Sequence, residues 1–197
     1  MSAVHNDDIR DLLTYIPVVP DALMKIYLQK EYNMTAFRAD ETIYNACRYR
    51  NKVKPTCYAT NSGLARFADT QMTSNTEALC RAFRVACEFL PGSRDLVIPH
   101  AHPWLLTFNS EGNIYYVCEF KRNEELITAD LIRSAGIAEE MMPFVKRVAI
   151  LAPGANREFL NDCGIKYFCT IDDQWDLNVV EAVKDSEVWN GVPVHKK

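Results

Sequence analysis

The stretch that most limits what this chain can fold into runs Ile114-Tyr115-Tyr116-Val117-Cys118-Glu119-Phe120-Lys121-Arg122-Asn123. Its first half is β-branched, aromatic and apolar, the composition of a strand buried on at least one face. Glu119 and Lys121 follow two positions apart. Side chains alternate along a strand, so both are expected on the same side. A metal-dependent nuclease uses such a pair, the carboxylate to hold Mg²⁺ and the lysine to orient water or stabilise phosphorane charge. The same tripeptide also occurs as an ordinary ion pair at a solvated strand end.

The chain has 197 residues, enough for one medium domain or two small ones. Its 48% hydrophobic and 24% charged residues are those of a globular protein rather than a disordered or fibrous one. No apolar run approaches the ~20 residues of a membrane span, and the polar, acidic start is unlike a signal peptide. A cytoplasmic protein without membrane contact is expected. The cysteines, Cys47, Cys57, Cys80, Cys87, Cys118, Cys163 and Cys169, form no C-x-x-C pair and are odd in number. Reduced, core-filling thiols are the expectation. A zinc site would have to join His100 and His102 to distant cysteines, at a spacing unlike the usual ligand pairs.

The net charge of −4 excludes a uniformly basic nucleic-acid binder, but its distribution is uneven. Residues 1–72 hold nine Lys/Arg against eight Asp/Glu, and residues 73–197 hold thirteen against eighteen. From Thr42 to Ala68 there is no acidic residue, while Arg48, Arg50, Lys52, Lys54 and Arg66 are cationic. Tyr44, Tyr49 and Tyr58 interleave with them, able to bond phosphates or stack on sugars.

The pattern in residues 1–72 predicts a helix carrying Ile9, Leu12 and Leu13, then a short turn bracketed by Pro17 and Pro20. A second helix is expected from Asp21, a capped connector over Thr35 to Asp40, and a third helix over Glu41 to Tyr49. Two extended pieces, Val53 to Thr60 and Arg66 to Met72, flank the turn at Asn61-Ser62-Gly63. Three helices followed by a hairpin is the order of a winged helix-turn-helix. A recognition helix enters the groove while flanking cations grip phosphates, so Tyr44, Arg48, Tyr49, Arg50, Lys52 and Lys54 are the candidate DNA-binding residues. Cations also suit any helix C-terminus, and a winged helix can serve protein contacts instead.

From residue 73 the pattern predicts a capped amphipathic helix carrying Leu79, Phe83, Ala86, Cys87 and Leu90, stopped by Pro91-Gly92. Strands are expected at Leu96 to Ile98, Trp104 to Phe108 and Ile114 to Phe120, the last two joined by the turn at Ser110 to Asn113. Then come a helix from Glu124 or Ala129 to Glu140, an all-apolar strand at Val148 to Leu151 of the kind found in parallel pairs, a helix over Asn156 to Cys163, a strand from Lys166, and a last helix over Asp176 to Val183. The loop Ala152 to Asn156 reads as an ordinary strand-to-helix turn, or as a place where an anion sits on helix amides.

This order, α-β-β-β-α-β-α-β with E-x-K closing the third strand, resembles the core of the restriction-endonuclease-like, PD-(D/E)xK, fold. With the winged helix in front, it is similar to the replication-relaxation type proteins of plasmids and integrative elements. Together these give an α+β expectation: a winged helix-turn-helix over residues 1–72, then a restriction-endonuclease-like α/β domain with a mixed sheet over 73–197. The resemblance implies a double-stranded DNA partner, a role in replication or maintenance of a mobile element, and assembly with itself or with a replication or transfer protein. It also implies catalytic Glu119 and Lys121 and a metal-ligating Asp at the start of the preceding strand, after a proline. Here Pro103 is present but Trp104 occupies the Asp position. Indole offers Mg²⁺ no oxygen, so Glu119 would need Asp95, Glu88 or His102 as a substitute partner. A scaffold that has lost catalysis and needs no cofactor is therefore the first expectation, and a Mg²⁺-dependent nuclease the second. A protein–protein interaction module is a third.

Overall fold

The computed structural model describes residues 9, 12, 13, 15, 16, 18–46, 57–61, 64–66, 73–89, 96, 97, 102–135 and 139–182. Two compact units divide the chain, Met1–Gly92 and Ser93–Lys197.

In the first unit Ile9, Leu12 and Leu13 are helical and buried, and the Ile16 N–H closes on the Leu12 carbonyl at 2.9 Å. Strand β1 (Val18–Pro20) then leads directly into helix α1 (Asp21–Tyr32). The expected proline-bracketed turn is thus partly strand, since the apolar pair Val18 and Val19 is buried and pairs with β2. Asn33 ends α1 in the left-handed conformation, φ 51°, which asparagine tolerates. Helix α2 (Ala36–Ala46) starts five residues before the expected Glu41, because Thr35 caps it: its hydroxyl accepts from the Arg38 N–H at 3.3 Å. Strands β2 (Cys57–Asn61) and β3 (Leu64–Arg66) form a hairpin, and the three strands make one antiparallel sheet in the order β1-β2-β3.

Helix α3 (Ser74–Phe89) is capped by Thr73, whose hydroxyl accepts from the Thr76 N–H at 3.2 Å. Of its expected stripe, Phe83, Ala86 and Cys87 are fully buried, Leu79 is half-buried and Leu90 lies outside the described residues; burial also takes in Ala78, Cys80, Ala82 and Val85. Phe83 meets the ring of Tyr27 on α1 at 5.3 Å, and the Cys80 thiol donates to the Val18 carbonyl at 3.1 Å. Those contacts bind α3 to the first unit, so the boundary falls after Gly92 rather than after residue 72.

The second unit is built on a six-stranded mixed sheet whose strand order follows the chain, β4 (Leu96–Val97), β5 (Trp104–Ser110), β6 (Asn113–Phe120), β7 (Val145–Leu151), β8 (Ile165–Ile171) and β9 (Leu177–Glu181). The strands β4, β5 and β6 form an antiparallel meander; β7 and β8 then run parallel to β6, and β9 returns antiparallel. Helix α4 (Glu125–Ser134) lies between β6 and β7 in sequence, the crossover that parallel strands require. Its buried Ala129 and Ile132 pack with Trp104, Cys118, Phe120, Ala149 and Leu160. The opposite sheet face carries Leu106, Phe108, Tyr115 and Val117, all buried, with Phe108 and Tyr115 stacked at 4.8 Å.

Three sequence expectations fail here. The helix expected to reach Glu140 ends at Ser134, and a separate 3-10 helix, Glu139–Phe144, lies beyond it. Asn156 to Cys163 forms only a single 3-10 turn, Arg157–Leu160. Within the last helix expected, Asp176 to Val183, the described residues 176–182 are not helical. Leu177 to Glu181 pair with β8, and the Asp172 carboxylate shapes the hairpin by accepting from the Gln174 and Asp176 N–H groups, each at 2.9 Å. An aspartate-led turn with β-branched residues beyond it favours a hairpin over helix propensity.

The fold is α+β with a mixed sheet. No helix among the described residues is long and apolar enough to cross a membrane. Cys80, Cys87, Cys118, Cys163 and Cys169 are buried thiols outside any disulfide, as expected.

Candidate functional site

The strand alternation that predicted a shared side for Glu119 and Lys121 holds: the Lys121 Nζ lies 3.7 Å from Glu119 Oε2. Glu119 is on the face of Val117, its side chain 5% exposed, while Lys121 is 40% exposed just past the strand end. A nearly buried carboxylate is thus joined to a half-solvated ammonium.

Trp104 sits elsewhere. It pairs with Cys118 across β5 and β6, on the α4 face of the sheet, whereas Glu119 occupies the other face. Its indole is buried against Tyr116, 5.3 Å between ring centres, and the Arg147 guanidinium lies 5.9 Å over it. The position that the resemblance assigns to a metal-binding Asp is therefore a core position turned away from the acid.

The Glu88 carboxylate, in the first unit, accepts from Lys30 at 2.9 Å and Arg84 at 3.3 Å. Burial works to raise its carboxyl, but the hydrogen bonds and charges of Lys30 and Arg84 outweigh burial and hold it below the ordinary value. His102 is exposed in the turn before β5. Asp95 and His100 lie outside the described residues. Among the described residues no three of His, Cys, Asp and Glu gather as a metal-binding group. Mg²⁺ wants several hard oxygens in octahedral array, and the described residues near Glu119 do not fit that demand.

Past Lys121 the chain turns through Asn123, φ 68°, into α4. There Glu125, buried at the first position of the helix, accepts from the Asn156 N–H at 3.2 Å. Its carboxyl is held below the ordinary carboxylate value, first by its own backbone N–H, against desolvation, and then by the Asn156 and Asn123 N–H groups and the Arg122 charge. The loop after β7 is an ordinary turn, with the Ala155 N–H donating to the Ala152 carbonyl at 3.1 Å and the Asn156 side chain capping the 3-10 turn at Glu158 N, 3.0 Å. Of the amides that an anion would use, the Asn156 N–H is taken by Glu125 and the Glu158 N–H by the Asn156 side chain. Sequence reasoning missed Glu125; its signal was an acid in the first turn of a helix, where the macrodipole favours one.

Of the candidate DNA-binding residues, Tyr44 lies in α2. Arg48, Tyr49, Arg50, Lys52 and Lys54 fall outside the described residues. No protein-family model matches the chain, and no curated protein matches it.

Proposed function

We propose that the chain is a DNA-binding protein in two parts, a winged helix-turn-helix followed by a nuclease-like α/β scaffold that has lost catalysis, acting in the replication or maintenance of a mobile element. One observation carries the reading. A helical segment, β1, α1, α2 and the β2–β3 hairpin follow one another in winged-helix order, with the three strands in one antiparallel sheet. Arg48, Arg50, Lys52 and Lys54 follow α2 within a stretch free of carboxylates, where they would grip phosphates beside the helix. In the second unit the meander, the crossover helix and the parallel strand support a nuclease-like scaffold with Glu119 and Lys121 closing its third strand. Loss of catalysis follows from the donor set, one ion-paired carboxylate with Trp104 where a second acid is required.

Fluorescence anisotropy with a mixed-sequence duplex, at low and physiological salt, tests this. Binding should weaken steeply with salt, and replacing Arg48, Arg50, Lys52 and Lys54 together by alanine should flatten that slope. Binding unchanged in that variant would sink the reading. Indifference to DNA at low salt would leave a protein-interaction module.

A Mg²⁺-dependent nuclease is the second reading, favoured by the 3.7 Å approach of Lys121 to Glu119. It needs Asp95 as the further ligand. It requires Mg²⁺- or Mn²⁺-dependent nicking that both Asp95→Ala and Lys121→Ala abolish.

A further inference from the structure

At the leading ends of β7 and β8 the parallel sheet opens into a cavity of about 440 Å³, lined by the cations Lys146, Arg147 and Lys166 and by apolar Met142, Val145 and Ile165. That volume suits one small ligand. Parallel pairing explains the clustering, because it sets the start of β8 beside the first residues of β7, here Ile165 opposite Arg147, the third residue of β7. We propose that this pocket binds a phosphate-bearing anion of nucleotide size.

Three like charges around one cavity repel one another unless an anion sits among them. Among the described residues, Glu181 is the one carboxylate paired with any of the three, through Lys166. The pocket therefore carries an excess of positive charge in a chain that is acidic overall. Arg147 is anchored. Its Nη1 donates to the Cys163 carbonyl at 2.7 Å and its plane rests over Trp104, leaving further N–H groups on a fixed fork. Lys146 donates to the Pro143 carbonyl at 3.3 Å, which uses one of its three N–H groups. Gly164 turns the wall in the left-handed region that favours glycine, at φ +63°. The apolar side, including half-exposed Met142, offers a surface for a base or sugar beside the phosphate.

The anion can be a free nucleotide or one nucleotide of a single strand, since both present the same phosphate. Because the cations all lie in the second unit, the proposal stands apart from duplex binding by the first. Calorimetric titration of the full chain with adenosine monophosphate, and separately with a dT oligonucleotide of about ten nucleotides, distinguishes the sources. The double variant Lys146→Ala/Lys166→Ala should weaken binding about tenfold or more, and Glu181→Gln, by releasing Lys166, should tighten it. Adenosine monophosphate binding with that pattern assigns a free nucleotide; oligonucleotide binding alone with that pattern assigns a strand. Binding of neither probe, or binding that both variants leave unchanged, overturns the proposal. Should the double variant melt early, Lys146→Gln and Glu181→Gln carry the same comparison.

Discussion

The Glu125 carboxylate accepts from the backbone N–H of Asn156 at 3.2 Å, fastening the first turn of α4 to the loop that leaves β7. One side chain thus joins the loops at the trailing ends of two adjacent parallel strands.

That fastening has a pH dependence. A carboxyl held below its ordinary value of 4.5 stabilises the folded chain above the unfolded pKa and loses that contribution as pH falls through the folded pKa. Thermal melts taken downward from pH 4.5 should therefore fall more steeply for the wild type than for Glu125→Gln. Parallel pH profiles for the two would contradict the role assigned to Glu125.

Trp104 is a core residue, so restoring an acid there should unfold rather than repair. Trp104→Ala is expected to destabilise by about 3–5 kcal/mol through cavity formation. Trp104→Asp should lose at least as much, because it removes the same packing and adds a charge to a buried site. Urea unfolding measures both. An aspartate variant as stable as the wild type would mean that this side chain reaches solvent.

The Glu119–Lys121 pair should contribute little to stability despite its buried acid. Lys121 is 40% exposed, and such pairs are worth about 0.2–1 kcal/mol. A double-mutant cycle with Lys121→Met and Glu119→Gln isolates the coupling. A coupling well above 1 kcal/mol would mark the pair as structural, and a smaller one is compatible with retention for another purpose.

Cys87 and Cys118 should be inert in the native protein. Desolvation pushes both thiols up to about 12, above any pH at which alkylation is normally run. Mass-spectrometric mapping after iodoacetamide should find both unmodified until denaturant is added. Native modification of Cys118 would mean that the packing of α4 over Cys118 and Trp104 opens readily.

How much of this was legible in the sequence depended on whether local pattern and tertiary pairing agreed. They agree at Ile114 to Lys121, where period-two alternation foretold both the buried strand and the approach of Lys121 to Glu119. They agree again at Thr73 to Phe89, where a cap and a helical apolar stripe marked α3. They part at Leu177 to Glu181, where only the partner β8 makes a strand of residues that also fit a helix. The unit boundary was hidden for a related reason, since a stripe announces that α3 buries a face but not that Tyr27 and Val18 receive it. At the candidate site, spacing foretold the acid–lysine pair. The opposed facing of Trp104 and Glu119 needed the register of β5 against β6, which is irregular between Trp104 and Leu106. The cations of the pocket were visible only as Lys146-Arg147 ahead of an apolar run, with nothing to say that Lys166 would join them.

The unbroken order of the six strands has a kinetic meaning. Every strand of the sheet lies beside the one made just before it, so each pairing closes a loop no longer than the single connection between neighbours. The longest of those connections contains α4, which can form locally and shorten the search before β7 docks. A sheet wired in this way can zip from β4 toward β9 as the chain leaves the ribosome, with no early strand left waiting for a partner from the far end.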